Sequence, residues 1–492
     1  MNKKNTGALI REIFQDRWND EFLISAADDR RYTYKAFFEN IIRAKSALEG
    51  LGVGRGDKLC LLLENSVELS VLYFTCLAMG VNAIPVDPAK GRQDIAEILS
   101  QTQHKFAICN GNNFAYVDGK VDITVIRDAL NRPTGATVAE LSIFDSPDYD
   151  ALYLTTFTSG STGTPKGVMH SFNNLVKSAT AFGALFKFGP QNVFYHNLPM
   201  TYMAGILNLM IMPFISGSKI VLAERFGVAN AMKFWEVPIR YSVNTFWFNP
   251  TILSLLVKLD RDPRGTDYAA RTQITACVGT APLDHQVKLN FESKYKIVAY
   301  ESYGLSETLF VSTNCPSIPQ LRGSVGTLLE GVKLSFESDT EILIDTPWNF
   351  LGYSNIGTQE FMDGGRFRSG DFGELDGERM LFIRGRKKDL IIKGGMNISP
   401  RRIEDFVGGF NFFHEFAVLG VKDAVLGEKI ACFYSPVENV YNAVRQKELN
   451  SAIIANLGRD CAIDEFILLD PLPKNINGKI DKLKIKGVYE SR

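Results

Sequence analysis

A glycine- and hydroxyl-rich segment, residues 158–167, carries the side chains best suited to chemistry. It follows an apolar β-like run, residues 151–157, so we expect a loop that leaves a strand. Its glycines let the backbone approach an anion closely, its hydroxyl and N–H groups donate to phosphate oxygens, and Lys166 supplies a cation. Pro165 and Gly167 depart from the Walker A pattern. The segment predicts a polyphosphate-binding loop of another type, and a flexible linker is the weaker interpretation.

The elements that precede this loop alternate between helical and strand patterns. Apolar residues recur at helical spacing over residues 34–48, and the pattern ends at Gly50 and Gly52. Further helices are predicted at 67–79 and near 95–99, and short apolar strands at 59–63, 81–85 and 106–109. Strands that are apolar on both faces predict parallel sheets covered by helices, so the fold class is α/β.

The residue pattern changes in the later part of the chain. Helix and strand patterns return over residues 198–259, whereas residues 324–384 contain short β-type runs between Gly and Asp turns, which predicts a β-rich subdomain. A polar, basic string follows at residues 385–389. The remainder predicts a compact unit with strands near 416–421 and 429–434 and a helix at 443–457. We place the domain boundary at the basic string, which gives domains of residues 1–385 and 386–492.

Composition excludes several classes of protein. The chain has 492 residues, with 54 Lys and Arg against 55 Asp and Glu, so no overall positive field attracts nucleic acid. Its 7 cysteines form no CxxC pair, which favours reduced core thiols over disulfides or a zinc site. The first residues lack the apolar segment of a secretory signal, and no apolar stretch is long enough to span a membrane. We therefore expect a cytoplasmic protein.

Several motifs together resemble one family. The loop at 158–167 is followed, in family order, by matching segments at 279–283, 303–307, 323–326, 368–371, 385–389 and 477–479. The chain is thereby identified as a member of the acyl-adenylate-forming (AMP-binding) superfamily, which includes acyl-CoA synthetases, luciferases and adenylation domains. The resemblance implies a large N-terminal domain of stacked αβ sheets plus a β-barrel, and a small mobile α+β C-terminal domain.

The resemblance also implies a reaction and a nucleotide site. A carboxylate attacks the α-phosphorus of ATP, pyrophosphate leaves, and the acyl group then passes to a thiol. Ser306 would contact the α-phosphate, Glu307 would hold Mg²⁺, Tyr303 would stack on adenine and Asp371 would bind both ribose hydroxyls. The segment at 279–283 would lie on the adenine side, and Glu301 would face the exocyclic amine of adenine. The full implied set for ATP and AMP is Thr158, Ser159, Gly160, Ser161, Thr162, Lys166, Gly279, Thr280, Ala281, Pro282, Glu301, Ser302, Tyr303, Asp371 and Arg386.

A lysine and a hinge near the C-terminus are implied in the same way. Lys479 resembles the family lysine that reaches the acyl carboxylate and the α-phosphate, and a solvated tail lysine is the alternative. Arg386 would touch ribose, and Lys388 would be the hinge. Gly394 and Gly395 would form the wall of the thiol tunnel after rotation of the small domain. One site could then run two half-reactions in turn.

The acyl pocket is where the chain departs from the family pattern. The implied lining residues are Tyr202, Met203, Phe248, Val278, Gly279 and Gly304, which suggest an apolar or aryl acid. The family often has His where Tyr202 stands, and because this aromatic side chain gates the acyl pocket, the difference bears on substrate identity and thiol access. Thr201 and Tyr202 provide no Asp for an α-ammonium group, which disfavours an amino acid. Core packing is an equally good interpretation of Phe248 and Val278.

Alternatives exist for the thiol acceptor, for the oligomeric state and for the class of protein. The thiol acceptor is CoA or the phosphopantetheine of a separate carrier protein, and the chain itself acts as a monomer or a homodimer. A catalytically idle adenylate-binding protein is a different class, which the intact Lys166, Glu307, Asp371 and Lys479 disfavour. A kinase is disfavoured because no H-R-D motif accompanies the Asp-Phe-Gly at 371–373. His170 and His196 are expected to be structural.

Overall fold

The protein is described by a computed structural model that covers residues 5–110, 117–158, 165–337, 341–377, 380–423, 425–437, 442–474 and 480–491. The strands in these ranges are β1 (Glu21–Ser25), β2 (Arg31–Thr33), β3 (Lys58–Leu62), β4 (Asn82–Pro85), β5 (Phe106–Cys109), β6 (Lys120–Asp122), β7 (Leu152–Thr158), β8 (Lys166–Ser171), β9 (Val193–His196), β10 (Lys219–Leu222), β11 (Thr245–Phe248), β12 (Thr275–Val278), β13 (Ala299–Leu305), β14 (Leu309–Thr313), β15 (Ser324–Leu328), β16 (Lys333–Phe336), β17 (Glu341–Asp345), β18 (Gly352–Tyr353), β19 (Met362–Asp363), β20 (Arg366–Leu375), β21 (Met380–Arg386), β22 (Ile391–Lys393), β23 (Met396–Ile398), β24 (Phe413–Asp423), β25 (Gly427–Pro436) and β26 (Glu465–Leu468).

The α-helices in the same ranges are α1 (Thr6–Asp16), α2 (Tyr34–Gly50), α3 (Val67–Met79), α4 (Arg92–Ser100), α5 (Thr124–Leu130), α6 (Phe172–Phe186), α7 (Met212–Ile215), α8 (Val228–Ala231), α9 (Glu236–Arg240), α10 (Pro250–Leu259), α11 (Pro263–Arg271), α12 (His285–Tyr295), α13 (Pro400–Val407), α14 (Ala443–Leu457) and α15 (Lys482–Glu490). A π-helical segment, Ala204–Ile211, follows β9.

Local signals account for the helix ends. The side chain of Ser66 accepts a hydrogen bond from the backbone of Leu69 and begins α3, and Gly80 ends it in the left-handed conformation at φ 65°. Every residue of α3 except Glu68 is buried, because the helix is covered on all sides. The predicted bounds of α3 and α14 agree with the structure.

Two sheets build the large N-terminal body. One follows the order β16-β17-β20-β21-β15-β14-β13-β12-β11-β9-β10-β1-β2, with β19 added on β20, and the other the order β18-β8-β7-β4-β3-β5-β6. Strands β13, β12, β11, β9, β10 and β1 run parallel, as do β7, β4, β3, β5 and β6. These parallel sheets confirm the predicted α/β class.

Strand β13 joins the two halves of the larger sheet. It pairs in parallel with β12 and antiparallel with β14, so the parallel sheet continues into the antiparallel strands that were expected to form a β-barrel subdomain. The carboxyl ends of β9, β11 and β12 therefore meet the turn that follows β13. Ligands of such folds bind outside the carboxyl ends of the strands, so this edge is where a site is expected.

A smaller sheet of the order β23-β22-β25-β24, with β26 on β25, carries α13, α14 and α15. The apolar core of the large body extends to Ile383, and a separate apolar cluster begins at Ile391. The proposed boundary at residues 385–386 falls between these two cores.

The structure bears on two expectations from composition, namely that the cysteines are core thiols and that no segment spans a membrane. All seven cysteines are buried and free, which confirms that they are core thiols. Within the described ranges, no helix has both the length and the apolar character needed to cross a bilayer.

Candidate functional site

The predicted phosphate loop connects two antiparallel strands. Thr158 at the end of β7 pairs with Lys166 at the start of β8, so both ends of the loop are held side by side. The intervening residues Ser159, Gly160, Ser161 and Thr162 lie outside the described part of the chain. Their role in binding phosphate stays a prediction, and the structure shows where the loop starts and ends.

Asn355, from a segment distant in sequence, forms hydrogen bonds with the end of this loop. The Gly167 N–H donates to Asn355 Oδ1 at 3.0 Å, and Asn355 Nδ2 donates to the Pro165 carbonyl at 2.7 Å. A Cβ at Gly167 would lie 2.1 Å from Ser354 Oγ and 3.1 Å from the Phe157 ring, so a larger residue would have to displace these side chains. Sequence reasoning missed Asn355, because no motif marks a contact between residues 188 positions apart.

Tyr353 links the predicted phosphate lysine to the predicted metal carboxylate. Its hydroxyl donates to Glu307 Oε1 at 2.7 Å. Lys166 Nζ lies 5.5 Å from the centre of the Tyr353 ring and 4.1 Å from that of Phe361. Burial, followed by the nearby Glu307 charge, raises the pKa of Tyr353 well above its usual value, so the hydroxyl keeps its proton and acts as a donor. A cation and a carboxylate thus flank one ring.

The turn that carries Ser306 and Glu307 is tightly constrained. It joins β13 to β14, where Gly304 pairs with Phe310 and Leu305 with Leu309. A Cβ at Gly304 would lie 2.0 Å from the Leu309 carbonyl oxygen, and Leu309 itself adopts φ 51°. Backbone in this left-handed region is strained for a residue other than glycine. The structure therefore holds Ser306 and Glu307 in a short, compressed loop.

His170 on β8 contacts the backbone of the same turn. Its Nε2 lies 2.7 Å from the Ser306 carbonyl oxygen, so the Nε2–H form of the ring donates to that oxygen. The side chain is fully buried, and this burial lowers the pKa of His170 to about 4, with the Ser306 carbonyl opposing the shift. A neutral histidine at this place positions Ser306, which agrees with the structural role expected for it.

Asp371, Tyr303 and Arg386 form a second cluster. Asp371 on β20 pairs with Arg386 on β21 in register, and Arg386 Nε lies 2.8 Å from Asp371 Oδ1. The Tyr303 hydroxyl donates to Asp371 Oδ2 at 2.7 Å. The Asp371 side chain is only 2% exposed, and burial raises its pKa while Arg386 and Tyr303 oppose the rise. The three predicted nucleoside residues therefore lie together.

The segment predicted to contact adenine has an unusual backbone. It leaves β12 at Val278, and Thr280 adopts φ 70°, a genuine outlier for a β-branched residue. Ser302 Oγ donates to the Val278 carbonyl at 3.1 Å. Gly279 and Val278 are buried, whereas Thr280 and Pro282 are exposed and Ala281 is half-buried. Backbone strain of this kind collects at functional sites.

Glu301, predicted to face the adenine amine, already has a cationic partner. Lys288 on α12 donates to Glu301 Oε1 at 2.9 Å and to Gln320 Oε1 at 2.7 Å. The contact with adenine thus stays a prediction, and it would have to be made beside this ion pair.

The residues predicted to line the acyl pocket fall into two groups. Tyr202 and Met203 are half-buried in the segment that leads from β9 into the π-helix. Phe248 is 1% exposed and its ring packs on those of Phe234, Phe246 and Phe291, which matches core packing. Its neighbour Trp247 points to the opposite face of the sheet and packs on Phe182 and Phe310. Sequence reasoning missed Trp247, although strand alternation could have flagged it.

The hinge and the small domain occupy defined places. Lys388 lies in an exposed turn, residues 387–389, directly after β21. Gly394 and Gly395 form the exposed two-residue turn between β22 and β23, at φ 58° and 84°. Two positive φ values are typical of a type I′ hairpin turn. Gly394 and Gly395 could line the thiol tunnel only after the small domain had moved. Their role there stays a prediction.

Lys479, the predicted catalytic lysine, lies outside the described residues, as do Asn477 and Gly478. The chain on either side is held by the bridge between Lys474 and Ile480. Lys474 Nζ lies 2.6 Å from Glu415 Oε1, and Lys258 of α10 lies 3.9 Å from the same oxygen. Glu415 thus brings the base of this segment next to the large body.

A cavity of about 660 Å³ lies at the carboxyl edge of the second sheet, where β3 and β5 are neighbours. Lys90, Arg92 and Arg127 line it together with Glu64 and Asn65, and Arg127 also pairs with Glu68 at 2.9 Å. The N-termini of α3 and α4 also lie at this edge, and the backbone N–H groups at a helix N-terminus favour anions. The cavity therefore suits a negatively charged ligand.

Comparisons with known proteins agree with this arrangement. The family model of AMP-binding enzymes matches residues 11–354, and that of the AMP-binding enzyme C-terminal domain matches residues 402–479. The sulfoacetate–CoA ligase of Cupriavidus necator is 28% identical, over 98% of this chain and 97% of its own. The long-chain-fatty-acid–CoA ligase of Mycobacterium tuberculosis is 26% identical, over 99% of both chains. The crystal structure of ATP-bound MatB from Rhodopseudomonas palustris superposes with a TM-score of 0.87 at 23% identity, over 98% of this chain and 99% of the other.

Proposed function

Because this chain belongs to the AMP-binding enzyme family, we propose that it joins a carboxylic acid to CoA at the expense of ATP, through an acyl-adenylate. The observation that carries the proposal is the strand and turn of residues 299–307. From this strand and turn, the Tyr303 hydroxyl donates to Asp371, and Glu307 accepts a hydrogen bond from the Tyr353 hydroxyl. Lys166 Nζ lies 5.5 Å from the centre of the Tyr353 ring. The curated relatives, which are named as CoA ligases of a fatty acid and of sulfoacetate, support the same reaction class.

In the first half-reaction an acid oxygen attacks the α-phosphorus and the bond to pyrophosphate breaks. Negative charge then develops on the phosphate oxygens, and fixed donors and cations lower the barrier. Lys166 and the loop that it ends would bind the leaving phosphates, and the Ser306 hydroxyl would bind the α-phosphate. A single hard carboxylate, Glu307, would hold Mg²⁺ together with phosphate oxygens, and the ion would neutralise charge on the leaving group.

The nucleoside would bind at the second cluster. Asp371 is a buried acceptor whose Oδ1 makes an ion pair but no hydrogen bond of good geometry with the described residues. Two ribose hydroxyls fit the remaining lone pairs of such a carboxylate. Tyr303 would present its ring to adenine while its hydroxyl keeps Asp371 in place.

In the second half-reaction the thiol sulfur attacks the acyl carbon and AMP leaves. Rotation at Lys388 would withdraw Lys479 and bring up Gly394 and Gly395. The basic cavity lined by Lys90, Arg92 and Arg127 supports CoA as the acceptor, because CoA carries several phosphates. We expect the enzyme to work as a monomer or a homodimer. Analytical ultracentrifugation would measure this oligomeric state.

Acid-dependent exchange of labelled pyrophosphate into ATP tests the first half-reaction. We expect exchange with at least one member of a panel of aliphatic and aryl acids, and thioester formation when CoA is added. Exchange with no acid would contradict the ligase and favour an idle nucleotide-binding protein. Exchange followed by transfer only to a phosphopantetheinylated carrier protein would favour the carrier route.

Charge reversal in the basic cavity separates the two thiol acceptors. We expect Lys90→Glu to raise the KM for CoA about tenfold while pyrophosphate exchange stays unchanged, since the cavity would bind only the acceptor. Lys105→Glu is the matched control, because Lys105 precedes β5 at the opposite edge of the same sheet and pairs with Asp57. An unchanged KM for CoA in Lys90→Glu would remove the structural support for CoA.

A further inference from the structure

Two polar side chains, the imidazole of His196 and the indole of Trp247, stand on the neighbouring strands β9 and β11 inside the large body. Thr245 and Phe246 of β11 pair with Phe194 and Tyr195 of β9. Continuing this parallel register by one residue places Trp247 opposite His196. Paired residues of neighbouring strands point to the same side of a sheet, so the indole and the imidazole share one face.

Contacts between aromatic rings agree that His196 and Trp247 lie on the same face of the sheet. Phe194, two residues before His196, packs on Phe188 with centroids 5.0 Å apart, and Trp247 packs on Phe182 with centroids 5.2 Å apart. The rings of residues 182, 186 and 188 form one stack along this side of the sheet. The indole and the imidazole therefore lie under the same layer, away from the aromatic cluster of Phe234, Phe246 and Phe248.

Both polar groups are buried without a satisfactory partner. His196 is 0% exposed and Trp247 is 1% exposed. Among the described residues, His196 Nδ1, His196 Nε2 and Trp247 Nε1 make no hydrogen bond of good geometry, and the imidazole faces the backbone of Gly205. Burial lowers the pKa of His196 to about 3, with the backbone of Gly205 partly opposing the shift, so the ring is neutral and offers one donor and one acceptor. Buried polar groups left unpaired are costly, so a ligand or water is expected to satisfy them.

The geometry connects this pair to the predicted acyl site. A Cβ at Gly279 would lie 3.5 Å from Trp247 Nε1 and 2.8 Å from Ser302 Oγ, so the indole N–H borders bare backbone at the end of β12. The segment that follows His196 adds two more buried atoms without a partner in the described chain, Asn197 Nδ2 and Thr201 Oγ1. Thr201 directly precedes Tyr202, a predicted pocket residue.

We propose that His196 and Trp247 recognise a neutral hydrogen-bonding oxygen, a hydroxyl or a carbonyl, on the acyl chain of the acid; the inference rests on the function proposed above. The set supplies donors from the indole and the imidazole, with one imidazole nitrogen as acceptor. A second charged group on the acid is disfavoured because its burial needs a counter-ion. Arg225, which follows β10, and Lys288 on α12 already pair with Asp87 and Glu301.

The test compares kcat/KM in pyrophosphate exchange for matched acids that differ by one oxygen. Suitable pairs are hexanoate with 5-oxohexanoate, butanoate with 3-hydroxybutanoate, and benzoate with 4-hydroxybenzoate. We expect the wild-type enzyme to prefer the oxygenated acid of at least one pair by about tenfold or more, because the plain acid leaves the buried groups unpaired.

Two variants assign that preference to the pair. Trp247→Phe keeps the aromatic packing and removes the N–H, and His196→Leu removes both nitrogens. Each variant is expected to bring the ratio close to one, through a lower kcat/KM for the oxygenated acid. Phe246→Leu, on the opposite face of β11, is the matched control and should keep the wild-type ratio.

The possible outcomes separate this inference from the proposed function. A wild-type ratio near one in every pair overturns the inference and leaves the ligase intact. A clear wild-type preference that survives in a folded Trp247→Phe or His196→Leu enzyme also overturns it, and either variant alone suffices if the other does not fold. Exchange with no acid at all overturns the proposed function and the inference with it.

Discussion

Removing one hydroxyl tests how Glu307 is held. Tyr353 is 7% exposed, and its hydroxyl donates to Glu307 Oε1 at 2.7 Å. Tyr353→Phe removes this donor but keeps the ring, which packs on Phe350 at 4.9 Å and on Phe361 at 5.1 Å between centroids. The substitution therefore changes the orientation of Glu307 more than it changes the packing around it.

The size of the effect follows from the type of bond. A hydrogen bond to a charged group contributes about 1.5–3 kcal/mol, which corresponds to a factor of about 10 to 150 in a binding or rate constant. If Glu307 holds Mg²⁺ with ATP, Tyr353→Phe should weaken the apparent affinity for Mg²⁺ and ATP by about tenfold or more. The KM for the acid should stay near the wild-type value.

Pyrophosphate exchange at varied Mg²⁺ and fixed acid measures this prediction. Tyr149→Phe is the matched control, since Tyr149 is also buried and donates to a backbone carbonyl, that of Phe144, at 2.6 Å. The control should retain wild-type kinetics. A change of less than twofold in a stably folded Tyr353→Phe enzyme would refute the idea that Tyr353 orients the metal carboxylate.

Three further predictions concern nucleotide binding, pH and packing. Asp371→Asn should raise the KM for ATP about tenfold or more without changing that for the acid, because charged hydrogen bonds to ribose are lost; an unchanged KM in exchange kinetics would exclude the ribose role. Burial lowers the pKa of His170 to about 4 and of His196 to about 3, both below the ordinary 6.5 of the unfolded chain. The unfolded state therefore binds more protons between about pH 4 and 6.5, and the free energy of unfolding should fall by up to about 1.4 kcal/mol per pH unit for each histidine as pH drops. Urea unfolding across this window measures the slope, which His170→Gln should reduce; an equal slope would contradict the buried neutral state. Gly304→Ala places a Cβ 2.0 Å from the Leu309 carbonyl oxygen and should destabilise the protein by about 1–3 kcal/mol, seen as a lower Tm, whereas a wild-type Tm would show that the turn relaxes freely.

Much of the fold could be predicted because its signals are local. The bounds of α14 agree at both ends with the predicted helix, and β3 and β4 were predicted to within one residue at each end. Buried parallel strands appear in the sequence as short continuous apolar runs, and caps and glycines mark the helix ends. Nothing in these patterns requires knowledge of distant residues.

The site was only partly predictable because its contacts join distant parts of the chain. Asn355 clasps Gly167 from 188 positions away, through the pairing of β18 with β8, and no motif announces that contact. Strand alternation indicates that residues 247 and 248 point to opposite faces but not which face borders the site. The Gly394–Gly395 pair is equally typical of a hairpin turn, which is the form it takes here.

In the proposed reaction the acid is activated when one of its carboxylate oxygens forms a bond to the α-phosphorus of ATP. Acid labelled with heavy oxygen in its carboxylate tests it most directly, by mass spectrometry of the products after thioester formation with CoA. We expect one labelled oxygen in AMP and none in pyrophosphate, because the attacking oxygen stays on the α-phosphorus when the thiol displaces AMP. Unlabelled AMP, or label in orthophosphate with release of ADP, would contradict it.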